Sequence, residues 1–587
     1  MYIWRSELLK ESPNSNALFP AQINTLAGEK WGYINQFGKF VITPKFDYAF
    51  DFQANELAIV EYEGLNGIID KKGKYIVRPQ YRTITPFYEE RAIVADETGY
   101  HVMDESGRLL TSKPYSYIST YEEGRAVFSE TISGKYIYGY LDRQGKEIIP
   151  AAYQTANDFE GGTALVQISD EEFGLLNKQG KMVQTFRYPY VGSKGDGLLA
   201  FRKEQGGRFG YINEGGDIVI EPAFESAQPF QHGIAIVGKG ETFPSVYGVI
   251  KKQGEFIVEP EYNDIKVVSD NRLALGKTKE GRPPNELWYA LATLEGKVLT
   301  EFKFNIILDF EKGVASVSDG SRTFFINSSG NIVKNLPVVE GAGTLSFEGK
   351  LIRANIENRI TYYDRSGNIV WKQDNTVTLN KQYRVLEKKY NPNPDYIVYY
   401  PEIQGMKNKS AQSEVNQRLM ELSLVKPVPS DVALDSSYSG DFSISFYRQD
   451  LLVIEFEGYD YPFGAAHGMP YKAHAHINLK SGQMYELKDL FKADSEYVTV
   501  LSDIIREQIK NDETYSYVFP DAFKGIAPDQ PFYVDDKALY LYFAPYEIGP
   551  YAAGFPTFKI PFEEIMAIIN NEGEFWRSFH TYVRHDK

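Results

Sequence analysis

A mainly β chain followed by a smaller α+β domain is expected from three features of these 587 residues. A turn glycine recurs at Gly38, Gly73, Gly107, Gly145, Gly180, Gly216, Gly254, Gly296, Gly330 and Gly367, in steps of 34 to 42 residues, the range that repeat architectures use. Aromatic residues make up 14% of the chain, and they suit pleated, half-buried strands better than helices. Beyond Gly367 the regular spacing stops and helical periodicity begins. A chain of this length cannot form one compact core, so an array or several domains are required.

Within a repeat, each element follows from its residues. An aromatic–Gly pair opens a strand in Trp31-Gly32-Tyr33-Ile34-Asn35, in Tyr138-Gly139-Tyr140 and in Phe209-Gly210-Tyr211; the glycine lets a neighbouring backbone or ring approach closely. Asn35-Gln36-Phe37-Gly38-Lys39 reads as a hairpin turn, the Asn side chain bonding its own backbone and Gly38 taking the left-handed conformation. Val41-Ile42 makes a second strand, ended by Pro44, which has no N–H for a ladder. A stretch such as Phe159-Glu160-Gly161-Gly162 follows, then a third strand, Thr163-Ala164-Leu165-Val166. A three-stranded meander of about 36 residues is too small to bury its own core and must stack on its neighbours.

This pattern, placed at residues 25–379 after a lead-in of residues 1–24, resembles the WG-repeat family, named for a pair like Trp31-Gly32. The resemblance implies tandem β units and no particular reaction. Ten units are many for a ring, so an open or curved array is expected, with a closed propeller-like ring as the alternative.

Residues 380–575 read as an α+β domain, with 576–587 as a tail. Val415, Leu419 and Leu422 share one helical face, as do Val498, Leu501, Ile505 and Ile509. Phe442, Ile444 and Phe446 alternate, turn at Gln449-Asp450 and return through Leu452, Ile454 and Phe456, a hairpin pattern. Pro561-Phe562-Glu563-Glu564 suits the first turn of another helix. Four motifs in order, Tyr400-Pro401-Glu402-Ile403, Phe463-Gly464-Ala465-Ala466-His467-Gly468, Leu487-Lys488-Asp489-Leu490-Phe491 and Tyr546-Glu547-Ile548-Gly549-Pro550-Tyr551-Ala552-Ala553-Gly554, are similar to the RsiV-like domain. That domain occurs in a lysozyme-binding anti-sigma factor and in the non-catalytic part of a peptidoglycan deacetylase. The resemblance implies a cell-envelope binding role.

Composition narrows the chemistry. With no cysteine, disulfide scaffolds, Cys-ligated zinc and cysteine nucleophiles are excluded. A formal net charge of −16 disfavours nucleic acid and suits a cationic partner. No apolar run is long enough for a membrane span. The absence of a signal-peptide pattern at Met1-Tyr2-Ile3-Trp4 points to the cytoplasm, whereas the missing cysteines and the domain resemblance point to the envelope. Gly276-Lys277-Thr278 lacks the earlier glycine of a phosphate-binding loop, Asn271 standing in its place. No catalytic motif is present, so no enzyme activity, catalytic residue or cofactor is expected. His474 and His476, two apart on a strand, are the metal candidates, but Lys472 and Lys480 flank them, and solvent-facing strand histidines are the expectation. Binding is assigned to His467 and Gly468 in one loop and to Tyr546, Tyr551 and Phe555 in another, with a lysozyme-like protein or cell-wall glycan as ligand and the repeats as an extended interaction surface. The alternatives are an intracellular interaction scaffold and, third, a glycan-processing enzyme.

Overall fold

The computed structural model describes residues 17–240, 245–269, 271–278, 286–430 and 432–580. They form two compact units, one from the residues up to Gln22 with Lys30–Gln373, the other from Ile23–Glu29 with Asp374 onward. The chain is mainly β, as its periodicity implies, and among the described residues helices lie only in the C-terminal part.

Among the described residues the repeat region holds ten antiparallel sheets of three or four strands. The turn chemistry works as its residues dictate. The Asn35 side-chain oxygen accepts from the N–H groups of Phe37 (3.0 Å) and Lys39 (3.2 Å), and Gly38 has φ +74°. The aromatic–Gly glycine has a specific neighbour: at Gly32 the partner strand bulges through Thr43 and Pro44, and an added Cβ would stand 2.7 Å from the Pro44 nitrogen. The same backbone-on-backbone approach recurs at Gly67, Gly139, Gly210 and Gly248.

Sheets and sequence repeats are out of phase. The third strand of one repeat pairs with the aromatic–Gly strand of the next, as when Leu57–Tyr62 pairs with Leu65–Asp70 and Ile59 faces Ile68. Each sequence repeat therefore straddles two sheets and ties them covalently. The expected three-stranded meander gains a fourth strand in seven of the ten sheets; in four of these the added strand is two residues long, as with Tyr48–Ala49 on the edge of Leu57–Tyr62. The lead-in is also revised, because Leu18–Thr25 supplies the first strand of the first sheet.

Neighbouring sheets meet through a recurring set of contacts. A Cβ on the turn glycine of one sheet would touch the last strand of the preceding one: Gly73 meets Ile42, Gly107 meets Val77, Gly180 meets Ile149 and Gly254 meets Ile220. Gly38, in the first sheet, meets Val370 and Trp371 in the last. The buried tyrosines behave alike. Tyr33, Tyr140 and Tyr211 donate to the carbonyls of Phe50, Asn157 and Gln228 in the following sheet, each at 2.7 Å, and Tyr362 donates to Pro20 of the first sheet at 2.9 Å. Phe19 packs on Tyr362, Phe40 on Trp371, and Arg353 donates to both Asp51 oxygens at 3.0 Å. The tenth interface thus repeats the other nine in kind, and of the two arrangements expected, the closed ring is the one formed. Closure is by sheet-on-sheet packing, since the last sheet is completed by its own Ile369–Lys372.

In the second unit a seven-stranded sheet carries α1 (Lys409–Leu422) on one face. Val415 and Leu419 of α1 pack with Ile403, Leu452, Ile454, Ala475 and Ile477. The other face, through Leu451 and Val453, packs on a three-stranded sheet (Phe532–Val534, Ala538–Tyr542, Thr557–Pro561) and on Leu501 and Ile505 of α2 (Tyr497–Asn511). Residues 576–580, read as part of the tail, belong to this core: Phe579 is fully buried. The short helix expected at Pro561 runs over Phe562–Ile565.

Candidate binding site

Two loops separated by about 80 residues of sequence converge in the second unit. The first links the strands Leu451–Pro462 and Met469–Asn478 and carries His467 and Gly468; the second precedes Thr557–Pro561 and carries Tyr546 and Tyr551. The His467 ring stacks on Tyr551 at 4.1 Å, and its Nε2 lies 3.1 Å from the Tyr546 hydroxyl. Gly468 is clamped, its N–H donating to the Tyr459 hydroxyl (2.8 Å) and its carbonyl accepting from Tyr551 (3.0 Å). A side chain there would collide with the Tyr459 ring. Tyr546 is held at φ +68° and is 53% exposed, so it presents its face outward from a backbone shape that non-glycine residues seldom take.

Of the five residues assigned to binding, four therefore meet in one cluster. Phe555 stands apart, edge-on to Tyr542 and under the Lys472 ammonium. Sequence reasoning missed Tyr459, which braces Gly468 and is itself 39% exposed. It lies at the end of the strand leading into the loop, where a solvent-facing tyrosine on an alternating strand carries no distinguishing signal.

His474 and His476 differ from the expectation of a solvent-facing pair. Their strand is covered on both faces, and the side opposite α1 lies under the three-stranded sheet. His474 contacts Glu455 (3.2 Å) and the Tyr542 hydroxyl (3.1 Å); His476 stacks flat on Phe532 at 4.1 Å, and its Nε2 has no hydrogen-bond partner. Among the described residues no group of three metal-ligating side chains is assembled.

Burial holds both imidazoles below their usual value, that of His476 well below it. Glu455 shifts the other way for a carboxyl: burial would raise it, but hydrogen bonds from His474 and Lys472 prevail and bring it down to about 2. The folded state thus takes up protons less readily than the unfolded chain, so stability of this unit falls as pH drops below about 6.5 and levels off above it. His476→Phe is expected to keep the stack on Phe532 and remove part of this acid sensitivity. Calorimetry at pH 5.5 and 8 should show the variant gaining about 1 kcal/mol more at the lower pH; an equal change at both would exclude His476 as the source.

Two family models match parts of the chain. Residues 31–65, 67–96, 138–171, 209–243 and 247–275 match the model for a WG containing repeat. Residues 488–563 match a protein of unknown function, DUF3298, a span that includes Tyr546, Tyr551 and Phe555. The chain carries WG repeats and a C-terminal DUF3298 domain. Similar solved structures include a DUF3298 family member from Bacteroides fragilis (16% identity, 32% of this chain and 93% of that one, TM-score 0.25) and one from Pseudomonas aeruginosa PAO1 (15%, 32% and 94%, TM-score 0.26). A eukaryotic initiation factor is similar over 54% of this chain and 94% of its own, at 10% identity and TM-score 0.40. No curated protein matches. Among the described residues no helix is long and apolar enough to cross a membrane. WG repeats and a DUF3298 domain together suggest a binding or interaction role.

Proposed function

We propose that this is a non-enzymatic binding protein whose C-terminal domain recognises a lysozyme-like protein or a cell-wall glycan through the His467–Tyr546–Tyr551 cluster. The observation that supports it most is Tyr546, an exposed ring held at positive φ by a loop hydrogen-bonded to His467. Flat, pre-positioned aromatic faces bind sugar rings or partner side chains with little entropy cost. The resemblance to the RsiV-like domain supplies the ligand class. Gly468, pinned from both sides, is the anchor that holds His467 in place.

Full-length protein should be retained on immobilised lysozyme or on purified peptidoglycan. Tyr546→Ala with Tyr551→Ala is expected to weaken that binding by about thirtyfold, the loss of two aromatic contacts worth about 1 kcal/mol each. Retention unchanged in the double variant would remove the cluster from recognition. Release of soluble fragments from peptidoglycan would overturn the non-enzymatic reading.

A further inference from the structure

The first strands of five consecutive sheets, with the turns after them, contribute to one cavity, so they face the middle of the ring and the last strands form its outer rim. Each last strand is paired on one side only. Four of these rim strands are variants of one sequence. Phe40–Phe46 (Phe-Val-Ile-Thr-Pro-Lys-Phe) and Tyr75–Tyr81 (Tyr-Ile-Val-Arg-Pro-Gln-Tyr) end the first two sheets. Ile218–Phe224 (Ile-Val-Ile-Glu-Pro-Ala-Phe) and Phe256–Tyr262 (Phe-Ile-Val-Glu-Pro-Glu-Tyr) end the sixth and seventh. In a ring of ten sheets, those five apart lie on opposite sides.

The two pairs differ chiefly in charge. Counted from the residue after the turn glycine, the first pair carries Lys39, Lys45, Lys74 and Arg78 and no acid. The second carries Asp217, Glu221, Glu255, Glu259 and Glu261 and no base. All nine side chains are exposed. Lys45 also covers the Phe46 and Tyr75 rings (5.0 and 5.7 Å), Asp217 accepts from Asn213 (3.1 Å) and Glu261 lies 3.9 Å from Lys277, contacts that leave each charge at the surface. Between the charges, exposed Val41 and Ile76 on one side of the ring correspond to exposed Val219 on the other. An unpaired strand edge that presents apolar side chains is a template for another chain, and complementary charge selects which chain and in what register. This protein carries both halves of such a pair, and three of the four strands share one burial pattern.

We infer that the basic rim of one copy docks on the acidic rim of a second copy, so that the protein associates head to tail. The two rims are different surfaces on opposite sides of the ring, so the contact is heterologous and extends into chains of copies instead of closing as a dimer. Pro44, Pro79, Pro222 and Pro260 interrupt each strand, so no continuous ladder forms and the contact rests on side chains. Such a contact is weak, reversible and sensitive to salt. It lies wholly in the WG-repeat unit and uses no residue of the His467 cluster.

In sedimentation velocity, the average mass of the full-length parent is expected to rise past that of a dimer between about 10 and 300 µM protein at about 0.05 M salt, and to fall back at about 0.5 M salt. Two charge-reversed variants place residues that the chain already accepts at equivalent positions of its own sheets. K39D/K74E/R78E makes both rims acidic, and D217K/E221R/E255K/E259R makes both basic. Each variant alone should self-associate roughly tenfold more weakly. The second brings the net charge of −16 closer to zero, so general repulsion does not account for its loss. Mixed in equal amounts, the two should associate as the parent does, which also shows that neither is unfolded. A parent that stays monomeric over this range, variants that associate undiminished on their own, or a mixture that does not recover would each overturn the rim-to-rim contact.

Discussion

Tyr362→Ala is expected to destabilise the ring unit by about 3–5 kcal/mol, the loss typical of a fully buried aromatic. The side chain fills the space between the last sheet and Phe19 and Ala21 of the first, and its hydroxyl satisfies the Pro20 carbonyl. In an open array this would be a terminal contact, and terminal repeats fray at little cost to the remainder. In a ring it is one interface among ten, so Tyr362→Ala should cost as much as Tyr211→Ala, the equivalent change in the interior of the repeat region. Denaturant unfolding of the full-length variants gives both values directly. A cost below about 1 kcal/mol for Tyr362→Ala beside several for Tyr211→Ala would mean that the ring opens in solution.

Gly210→Ala should be among the most damaging small substitutions in the repeats. Its Cβ would stand 2.7 Å from the Pro222 nitrogen and 2.9 Å from the Glu221 carbonyl carbon, at the bulge where Phe209 faces Phe224 and Tyr211 faces Ile220. Both neighbours are backbone, so neither can rotate away, and Pro222 stiffens the bulge further. Overpacking of this kind costs about 3 kcal/mol, and more where the backbone must move. Gly233→Ala is the control. That glycine has φ +82° with open space around it, so only left-handed strain is added, about 1–2 kcal/mol. Melting temperatures should fall much further for Gly210→Ala. Equal shifts would show that the bulge relaxes.

The local part of this fold was legible because it is encoded at short range. Asn35 and Gly38 make a turn whatever lies beyond them, and Pro44 ends a strand because it lacks an N–H. Pairing was harder to read. The repeat boundaries that catch the eye, glycine to glycine, do not coincide with the sheets, since a strand reports its own pattern and not its neighbour. His474 and His476 illustrate the same limit. Alternation separates the two faces of their strand, but whether the polar face meets water depends on the sheet around Tyr533 and Tyr542, distant in sequence. Phe579 was assigned to a tail because a single aromatic near a terminus carries no period, yet it is fully buried.

The candidate site shows what resemblance adds to residue chemistry. His467 with Gly468, and Tyr546 with Tyr551, were identified as separate loop features, and the structure brings them into hydrogen-bonding and stacking contact. Phe555, chosen on the same grounds, packs elsewhere.

Taken alone, the sequence determined a tandem β array, its turn chemistry, the α+β domain after it and the exclusion of cysteine chemistry. All of these follow from residue types at fixed short spacing. Only the tertiary structure decided that the array closes and that the histidine pair is buried. Closure depends on the sum of ten small rotations between sheets, and a sum over the whole ring cannot be read from any one repeat. Burial likewise depends on which distant surfaces meet, and that is settled by packing.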